Sequence, residues 1–320
     1  MRKHRQPMTE KVEQYLTYRR NLGYKLLAEG AYLRKFGVYA DSIKHRGPLT
    51  TELALRWARL PVAADALLWA RRLEIVRCFA RYLVIFEPKT EIPLRGLLGP
   101  AHRRNTPHVY TEAELSALVS AAGRLQSADQ LKPRNFSTLI GLVASTGLRI
   151  SEALRFTRSD FDARQGVITI RETKFRKSRL VPLHPSVTKK LAAYARERDR
   201  LVPLPQADQF FVTDRGKAMD CKRVREVFRE LCDGVGIVGR GHRRRPVIHD
   251  LRHTFACRCV ERWYDSGKDV THHIAALSTY LGHATIHDTY WYLTATPDLL
   301  ARAAARFEPF AAFDHREGQP

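Results

Sequence analysis

The chain has 320 residues, 44% of them hydrophobic, which is enough material for about two folded domains and excludes an intrinsically disordered protein. Its formal net charge is +22, and a folded protein this basic repels itself unless a polyanion neutralises it. The composition therefore predicts a nucleic-acid partner and favours it over a membrane surface, since no segment approaches the roughly 20 consecutive apolar residues of a membrane span.

Residues 1–87 show helical periodicity throughout and predict an N-terminal domain of four helices. The predicted helices run from Pro7 to Tyr24, from Ala28 to Ile43, from Thr50 to Leu60 and from Ala63 to Ile85. The fourth helix has an apolar stripe and also carries Arg71, Arg77 and Arg81. These arginines form either a solvated face or a contact surface for a DNA backbone, and the net charge of the chain favours the second interpretation.

The helical pattern ends between residues 88 and 107. Four prolines interrupt this stretch, and residues 102–104 (His-Arg-Arg) form a basic run. Prolines end helices and stiffen extended chain, so the pattern predicts a basic interdomain linker.

Residues 108–320 predict a second domain that is mainly helical and contains a small β-hairpin. It opens with a capping box from Thr111 to Glu114, and a helix near residues 135–145 ends at Gly147, just before Arg149. Residues 167–170 and 180–183 have the period of two that is typical of strands, and they flank a basic tip at 173–178. Further helices are predicted at 185–198, 222–231, 250–263, 272–281, 285–293 and 297–307.

The cysteines and histidines argue against metal and disulfide chemistry. Five cysteines without CxxC spacing predict a reducing compartment and neither a disulfide framework nor a thiolate zinc site. The histidines at 272, 273, 283 and 287 lack a cysteine or carboxylate cluster that would complete a tetrahedral site, so we expect no metal. No apolar run follows the basic N-terminal residues, so we expect no signal peptide.

Three residues stand out as candidates for binding an anion. His249 and Arg252 share a face at the start of one helix, and Arg149 lies where another helix begins. Two guanidiniums from separate segments could hold the non-bridging oxygens of one phosphodiester. Such a clamp matters because phosphoryl transfer is catalysed mainly by positioning and by neutralising charge. Nearby cations would also favour the phenolate of a tyrosine, whose free pKa is roughly 10.

Separate sequence blocks resemble the motifs of the tyrosine recombinase, or phage integrase, family. They are residues 145–152 (Ser-Thr-Gly-Leu-Arg-Ile-Ser-Glu), residues 249–256 (His-Asp-Leu-Arg-His-Thr-Phe-Ala), and Leu281-Gly282-His283 followed by Tyr292. Their order makes the resemblance specific, and it covers the second domain, while the first domain is similar to the core-binding domain in pattern alone. The resemblance implies a four-helix core-binding domain and an α+β catalytic domain that form a C-shaped clamp around DNA.

The resemblance also implies how the phosphate is held and attacked. Arg149 and Arg252 hold the scissile phosphate, and His283 donates a hydrogen bond to it. Tyr292 attacks and forms a covalent 3′-phosphotyrosine, which keeps the bond energy, so that religation needs no ATP, metal or other cofactor. Glu152 matches the acidic residue of the first arginine motif, which we expect to orient its neighbours.

Proton transfer is assigned in the same way. Lys174, at the hairpin tip, matches the lysine that protonates the leaving 5′-oxygen, and His249 assists. Lys177 is an alternative acid, because it lies in the same tip, but the distance from Arg149 favours Lys174. We expect Arg176, Lys177 and Arg179 to contact the DNA backbone.

Two neighbouring aromatic and basic residues have expected structural roles. Tyr290 lies two positions before Tyr292, so on a helix only one of them can face the site. The family spacing from His283 selects Tyr292 and leaves Tyr290 in the core. His253 is expected to be a structural histidine that packs behind the site.

The leading hypothesis is therefore a site-specific recombinase that acts on double-stranded DNA, with integration or transposition of a mobile element as its role. The resemblance implies a cytoplasmic, nucleoid-associated bacterial protein that forms a homotetramer on DNA, while the free protein could be a monomer. The helix at 297–307 could fold back on its own domain or dock on a neighbouring protomer. The alternatives are a DNA-binding protein without catalysis and a type IB-like topoisomerase.

Overall fold

The computed structural model describes residues 6–101, 106–127, 131–171, 178–239, 245–283, 285–290 and 301. The chain forms two compact units, Met1–Arg104 and Asn105–Pro320. No helix in the described ranges combines the length and the apolar composition needed to cross a membrane. Several predicted features lie outside the described residues: Lys174, Arg176, Lys177, Tyr292, the basic run at 102–104 and the helix at 297–307.

The N-terminal unit contains the four predicted helices. They are α1 (Met8–Asn21), α2 (Leu27–Ser42), α3 (Thr51–Ala58) and α4 (Ala66–Leu83). All four contribute to one buried core. At its centre the ring of Phe36 meets Trp57 and Phe79 edge-on, with centroids 5.3 Å and 6.4 Å apart.

Acidic side chains fix two of the helix starts. The Asp65 carboxylate accepts a hydrogen bond from the Leu68 N–H at 2.8 Å, so α4 begins after Asp65 and not at residue 63 as predicted. Asp41, near the end of α2, accepts hydrogen bonds from the N–H groups of Met8 and Thr9 at 2.8 Å and 3.1 Å. Helix α1 therefore takes its N-terminal partner from another helix, which ties α1 to α2.

Residues 88–101, which we predicted to be part of an interdomain linker, pack against the N-terminal unit instead. The Glu91 N–H donates to the Leu49 carbonyl at 2.9 Å, and Arg77 donates to the Pro93 carbonyl at 2.9 Å. The prolines therefore belong to an irregular segment that closes this unit, and the boundary between the units falls after residue 104.

The C-terminal unit combines helices with one small antiparallel sheet. Its helices are α5 (Glu112–Gly123), α6 (Leu131–Thr146), α7 (Ile150–Ala153), α8 (Pro185–Leu201), α9 (Cys221–Gly234), α10 (Asp250–Asp265), α11 (Val270–Leu281) and α12 (His287–Tyr290). Its strands, in the order β1-β2-β3, are β1 (Phe161–Asp162), β2 (Val167–Ile170) and β3 (Arg179–Pro182). The predicted hairpin is confirmed, with Val167 opposite Pro182, and β1 adds a third strand that we did not predict.

Helix α10 is held on several sides, which matters because it begins next to His249 and carries Arg252. It packs on α6 and α11 in the core of the unit. It is also tied to the start of the unit, since the Tyr110 N–H donates to the buried Thr254 Oγ1 at 3.0 Å. Arg258 returns a hydrogen bond to the Tyr110 carbonyl at 2.8 Å. The position of α10 is thus fixed by packing and by hydrogen bonds.

Two glycines in α2 allow a test of the α1–α2 packing. A Cβ added at Gly37 would lie 2.9 Å from the Cα of Thr9, which is backbone and cannot move alone, whereas one at Gly30 would lie 3.4 Å from a Leu16 methyl group. We expect Gly37→Ala to destabilise the N-terminal unit by about 1–2 kcal/mol, because overpacking exceeds the helix-propensity gain. Gly30→Ala should stabilise it by about 0.5–1 kcal/mol. Urea unfolding of the full chain, with hydrogen exchange of α1 and α2, measures both, and equal effects would contradict this packing.

Candidate active site

A tight turn between α6 and α7 positions Arg149. Helix α6 ends at Thr146, and Gly147 adopts a φ of 63°, a left-handed conformation that favours glycine. A Cβ at Gly147 would lie 2.6 Å from the Phe255 ring and 2.9 Å from a Leu281 methyl group. The turn therefore requires glycine both for its backbone conformation and for space, and Arg149 follows it at the start of α7.

Glu152 holds Arg149 from one helical turn further on. Its carboxylate accepts hydrogen bonds from Arg149 Nη1 at 2.8 Å and from the Arg149 N–H at 3.0 Å. The same carboxylate accepts from Arg179 Nη1 and Nη2 at 3.2 Å and 2.8 Å. The Glu152 carboxylate thus bridges two guanidiniums. Because its side chain is only 2% exposed, the carboxylate is almost completely shielded from water.

The environment of Glu152 fixes its charge. Burial alone would raise the pKa of Glu152, since it penalises the charged form. The hydrogen bonds and charge of Arg179, together with the hydrogen bonds of Arg149, outweigh burial and lower the pKa of Glu152 to about 2. Glu152 is therefore ionised at neutral pH. One carboxylate offsets only part of the charge of its two arginine partners, so the site retains positive charge for an anion.

Backbone carbonyls at the end of α11 orient the two arginines that we predicted to hold a phosphate. Arg252 donates to the Leu281 carbonyl at 2.8 Å and to the Gly147 carbonyl at 2.7 Å. Arg149 donates to the Gly282 carbonyl at 3.0 Å. Because Leu281 and Gly282 are consecutive, with Cα atoms about 3.8 Å apart, the structure brings Arg149 and Arg252 to the same turn.

The two guanidiniums differ in depth. Arg252 is 1% exposed, whereas the Arg149 side chain is 32% exposed. Arg149 is thus accessible to an anion from solvent, and Arg252 supplies charge from beneath the turn. A buried charge acts strongly on an anion because little water lies between them to screen it.

His283 follows the same turn, where Gly282 ends α11 with a φ of 66°. The imidazole Nδ1 lies 2.6 Å from Thr289 Oγ1. Burial, followed by the charges of Arg252 and Arg149, lowers the pKa of His283 to about 4. The imidazole is therefore neutral at neutral pH, and it can donate one hydrogen bond and accept another.

His249 lies on the exposed side of the site, immediately before α10. Arg252 is three positions further on, so the two side chains are neighbours on the helix. The ring of His249 meets that of His253 edge-on, with centroids 4.8 Å apart. His253 is half-buried behind it, which is the position expected of a supporting histidine.

The remaining predicted catalytic residues, Lys174 and Tyr292, lie outside the described residues. Their neighbours along the chain are described. Arg179, which contacts Glu152, follows Lys174 by five positions, and Thr289, which contacts His283, precedes Tyr292 by three. Arg179 and Thr289, the described residues near them in the sequence, therefore both lie at the site.

The structure corrects two of the expectations for single residues. Arg179 was expected to contact the DNA backbone, but its side chain is 12% exposed and it donates to Glu152 and, at 2.9 Å, to the Tyr280 carbonyl. Arg179 therefore forms an internal ion pair with the buried carboxylate of Glu152, which also pairs with Arg149. Tyr290 was expected in the core, but it is 37% exposed. In the short helix α12 the buried position is Thr289 instead.

The arginines predicted to face DNA from α4 have different surroundings. Arg81 is exposed. Arg71 is exposed as well, and its Nε donates to the Ala101 carbonyl at 3.2 Å. Arg77 is largely covered, since its side chain is 15% exposed and bonded to Pro93. Of the three, Arg81 and Arg71 keep the exposure that a DNA contact requires, whereas Arg77 is engaged within its own unit.

The sequence patterns did not predict two contacts at the site. They are the ion pair of Arg179 with Glu152 and the contact of Thr289 with His283. The sequence contained a signal for Arg179, because this residue lies directly before a predicted strand. A charged side chain at the start of a strand can face the interior of the protein and pair with a buried group there. For Thr289 the spacing of six residues from His283 carried no signal, because it does not match the spacing of neighbours on a helix.

Comparisons with known proteins agree with this architecture. The model of the phage integrase family matches residues 108–298. The chain is 37% identical over 303 residues to y4rB of Sinorhizobium fredii, named as an integrase/recombinase, covering 93% of this chain and 96% of that protein. It is 30% identical over 243 residues to the tyrosine recombinase XerD of Caulobacter vibrioides, covering 75% and 74% of the two chains. The Tn1549 transposon integrase in complex with transposon right end DNA has the same fold, with a TM-score of 0.69 at 16% identity over 96% of this chain and 100% of that chain.

The low pKa of Glu152 predicts a contribution to acid stability. Its ordinary pKa is 4.5 and its folded pKa is about 2, so its stabilisation is complete above pH 4.5 and is lost as the pH falls toward 2. We expect Glu152→Gln to lower the free energy of unfolding by about 3 kcal/mol at neutral pH and to abolish this part of the acid dependence. Urea unfolding between pH 3 and pH 7 measures both effects. The matched control Glu230→Gln, in a side chain that is 60% exposed, should behave as wild type. An acid dependence of Glu152→Gln equal to that of wild type would refute the ion-pair assignment.

Proposed function

This chain belongs to the phage integrase family of tyrosine recombinases, and on that premise we propose that it recombines specific DNA sites through a covalent 3′-phosphotyrosine formed by Tyr292. Membership of the family makes the protein a DNA strand transferase. The nucleophile, the proton donors and the biological setting are our proposals.

The observation that carries the proposal is the convergence of three groups on one turn. Arg149 and Arg252 bind consecutive carbonyls, and His283 is the next residue along. A phosphodiester that approaches Arg149 would meet positive charge from both guanidiniums and a neutral imidazole donor. These groups stabilise the extra negative charge that spreads over the phosphate oxygens when a nucleophile attacks.

The position of Thr289 supports Tyr292 as the nucleophile. Tyr292 lies nine positions after His283 and three after Thr289, whose hydroxyl contacts the His283 ring. Attack joins the Tyr292 phenol oxygen to phosphorus while the bond from phosphorus to the 5′-oxygen breaks. The phenol loses one proton and the leaving oxygen gains one, so no net proton is consumed. We assign protonation of the leaving oxygen to Lys174 and assistance with proton transfer to His249.

The partner is double-stranded DNA, and strand exchange sets the number of protomers. Two duplexes contain four strands to be cut, and each protomer supplies one tyrosine, so a complete exchange requires a tetramer. We propose that the reaction serves integration or transposition of a mobile element. The relative named as an integrase/recombinase supports this setting, and so does the shared fold with a transposon integrase bound to transposon DNA.

The first test replaces the proposed nucleophile. We expect Tyr292→Phe to bind DNA with the affinity of wild type and to form no covalent adduct, because it lacks only the attacking oxygen. The assay uses a nicked suicide duplex that carries the junction sequences flanking the gene of this protein, with adducts resolved on a denaturing gel in the presence of a chelator.

The matched control is Tyr290→Phe. It also removes a phenol oxygen, but from the exposed side chain two positions before Tyr292. It should form the adduct at the wild-type rate. An adduct trapped with Tyr292→Phe would overturn the assignment. A wild-type protein that shifts the DNA without any adduct would support a non-catalytic DNA-binding protein.

A second test identifies the proton donor. We expect Lys174→Ala to slow cleavage by about 100-fold or more, since general acid catalysis contributes factors of this size. Replacing the leaving 5′-oxygen by sulfur should restore the rate, because a thiolate leaves without a proton. Adduct formation on matched oxygen and sulfur substrates measures this rescue.

The matched variant is Lys177→Ala, in the same hairpin tip. It should lose DNA affinity and show no sulfur rescue. If sulfur rescues Lys177→Ala and not Lys174→Ala, the two roles are exchanged.

A further inference from the structure

Thr289 is a buried residue whose hydroxyl contacts the proposed phosphate-binding histidine. It is fully buried within α12, and its Oγ1 lies 2.6 Å from His283 Nδ1. The contact bridges the chain reversal after Gly282. Among the described residues, this ring nitrogen is the hydrogen-bond partner found for the Thr289 hydroxyl. The bond therefore links the phosphate-binding turn to the segment that leads to Tyr292.

The direction of this hydrogen bond decides which ring nitrogen of His283 carries the proton. If Nδ1–H donated to the hydroxyl, the hydroxyl proton of Thr289 would itself need an acceptor, and because Thr289 is fully buried, leaving that proton without one is costly. If the hydroxyl donates to Nδ1, its proton is satisfied and Nδ1 is the acceptor. A neutral imidazole that accepts at Nδ1 carries its proton on Nε2.

We infer that Thr289 is a positioning residue, which fixes His283 as the tautomer with its proton on Nε2 and holds that proton ready for a phosphate oxygen. For its effect on cleavage this inference rests on the proposed function, whereas the tautomer is a property of the protein alone. The surrounding charges fit a neutral ring. Arg252, Arg149 and Arg179 all disfavour a protonated His283, whereas Asp288 favours it.

Thr289 also connects the proposed phosphate-binding residue His283 to the segment that carries the proposed nucleophile Tyr292. Thr289 is six positions after His283 in the sequence and three before Tyr292. A single hydroxyl thus fixes the imidazole relative to the start of the nucleophile segment. Without it the ring could exchange tautomers and rotate, and a phosphate would meet an acceptor nitrogen in part of the molecules.

Two substitutions separate the hydroxyl from the shape of the side chain. Thr289→Val keeps the volume and removes the hydroxyl, whereas Thr289→Ser keeps the hydroxyl and removes a methyl group. Thr279→Val is the matched control, since Thr279 is exposed at the end of α11 and its hydroxyl donates to the Ala275 carbonyl. The thermal midpoints of all the variants show whether each of them folds.

The first measurement is independent of catalysis. The full chain with 15N-labelled histidine is studied by long-range proton–nitrogen NMR, in which protonated and unprotonated ring nitrogens of a neutral imidazole are well separated. The His283 signals are assigned by their loss in His283→Gln. We expect the proton on Nε2 in wild type, Thr289→Ser and Thr279→Val, and a mixture of tautomers in Thr289→Val. A proton on Nδ1 in wild type, or an unchanged tautomer in Thr289→Val, would overturn the inference.

The second measurement is adduct formation on the nicked suicide duplex. We expect Thr289→Val to slow it by roughly three- to tenfold, the factor that one hydrogen bond provides, with unchanged DNA affinity and with rescue by Thr289→Ser. A mixed tautomer with an unchanged rate would refute the positioning role. If wild type itself forms no adduct, the proposed function fails, while the NMR result still decides the tautomer.

Discussion

The site depends on one buried carboxylate. Glu152 is withdrawn from water, which opposes its ionisation, yet two guanidiniums keep it charged and bring its pKa to about 2. In return the carboxylate fixes Arg149 near the surface and Arg179 beneath it. A cation held in this way has lost its conformational freedom before a phosphate arrives, so that binding does not have to order it. Removing the carboxylate would leave the positive charges of Arg149 and Arg179 to repel each other, with Arg179 largely buried.

Two glycines allow Glu152, Arg149 and Arg179 to approach one another at the site. Gly147 and Gly282 both adopt left-handed backbone conformations, and both have a large neighbour where a side chain would begin. At Gly282 that neighbour is the Arg179 guanidinium, which lies 2.7 Å from the point that a Cβ would occupy, so the close approach of Arg179 to the turn depends on glycine. The carbonyls of these two glycines accept hydrogen bonds from Arg252 and Arg149. The carbonyls at these two turns thus accept the hydrogen bonds that orient Arg149 and Arg252.

Most of the architecture follows from local patterns in the sequence. Helical periodicity and caps predicted α1 to α4 within a few residues, and alternation predicted β2 and β3. Strand β1 has only two residues, too few to show a period, and residues 88–101 were assigned to a linker because prolines break helices whether or not the chain is packed. Arg179 and Thr289 could not be assigned, because their partners lie 27 and 6 positions away across turns. The motifs predicted which residues form the site, and the tertiary structure shows what holds those of them that it describes.

The electrostatics of the turn also explain why a histidine suits position 283. In the free protein burial, followed by the charges of the adjacent arginines, lowers the pKa of the imidazole and keeps it neutral. A phosphodiester bound at Arg149 would bring a negative charge to the same place and cancel part of that effect, because an opposite charge favours the protonated ring. In the proposed reaction, a hydrogen bond from the neutral ring to a phosphate oxygen would strengthen as negative charge builds on that oxygen. Such a bond would be stronger in the transition state than in the ground state, which is the condition for an interaction that accelerates the reaction and does not simply tighten binding.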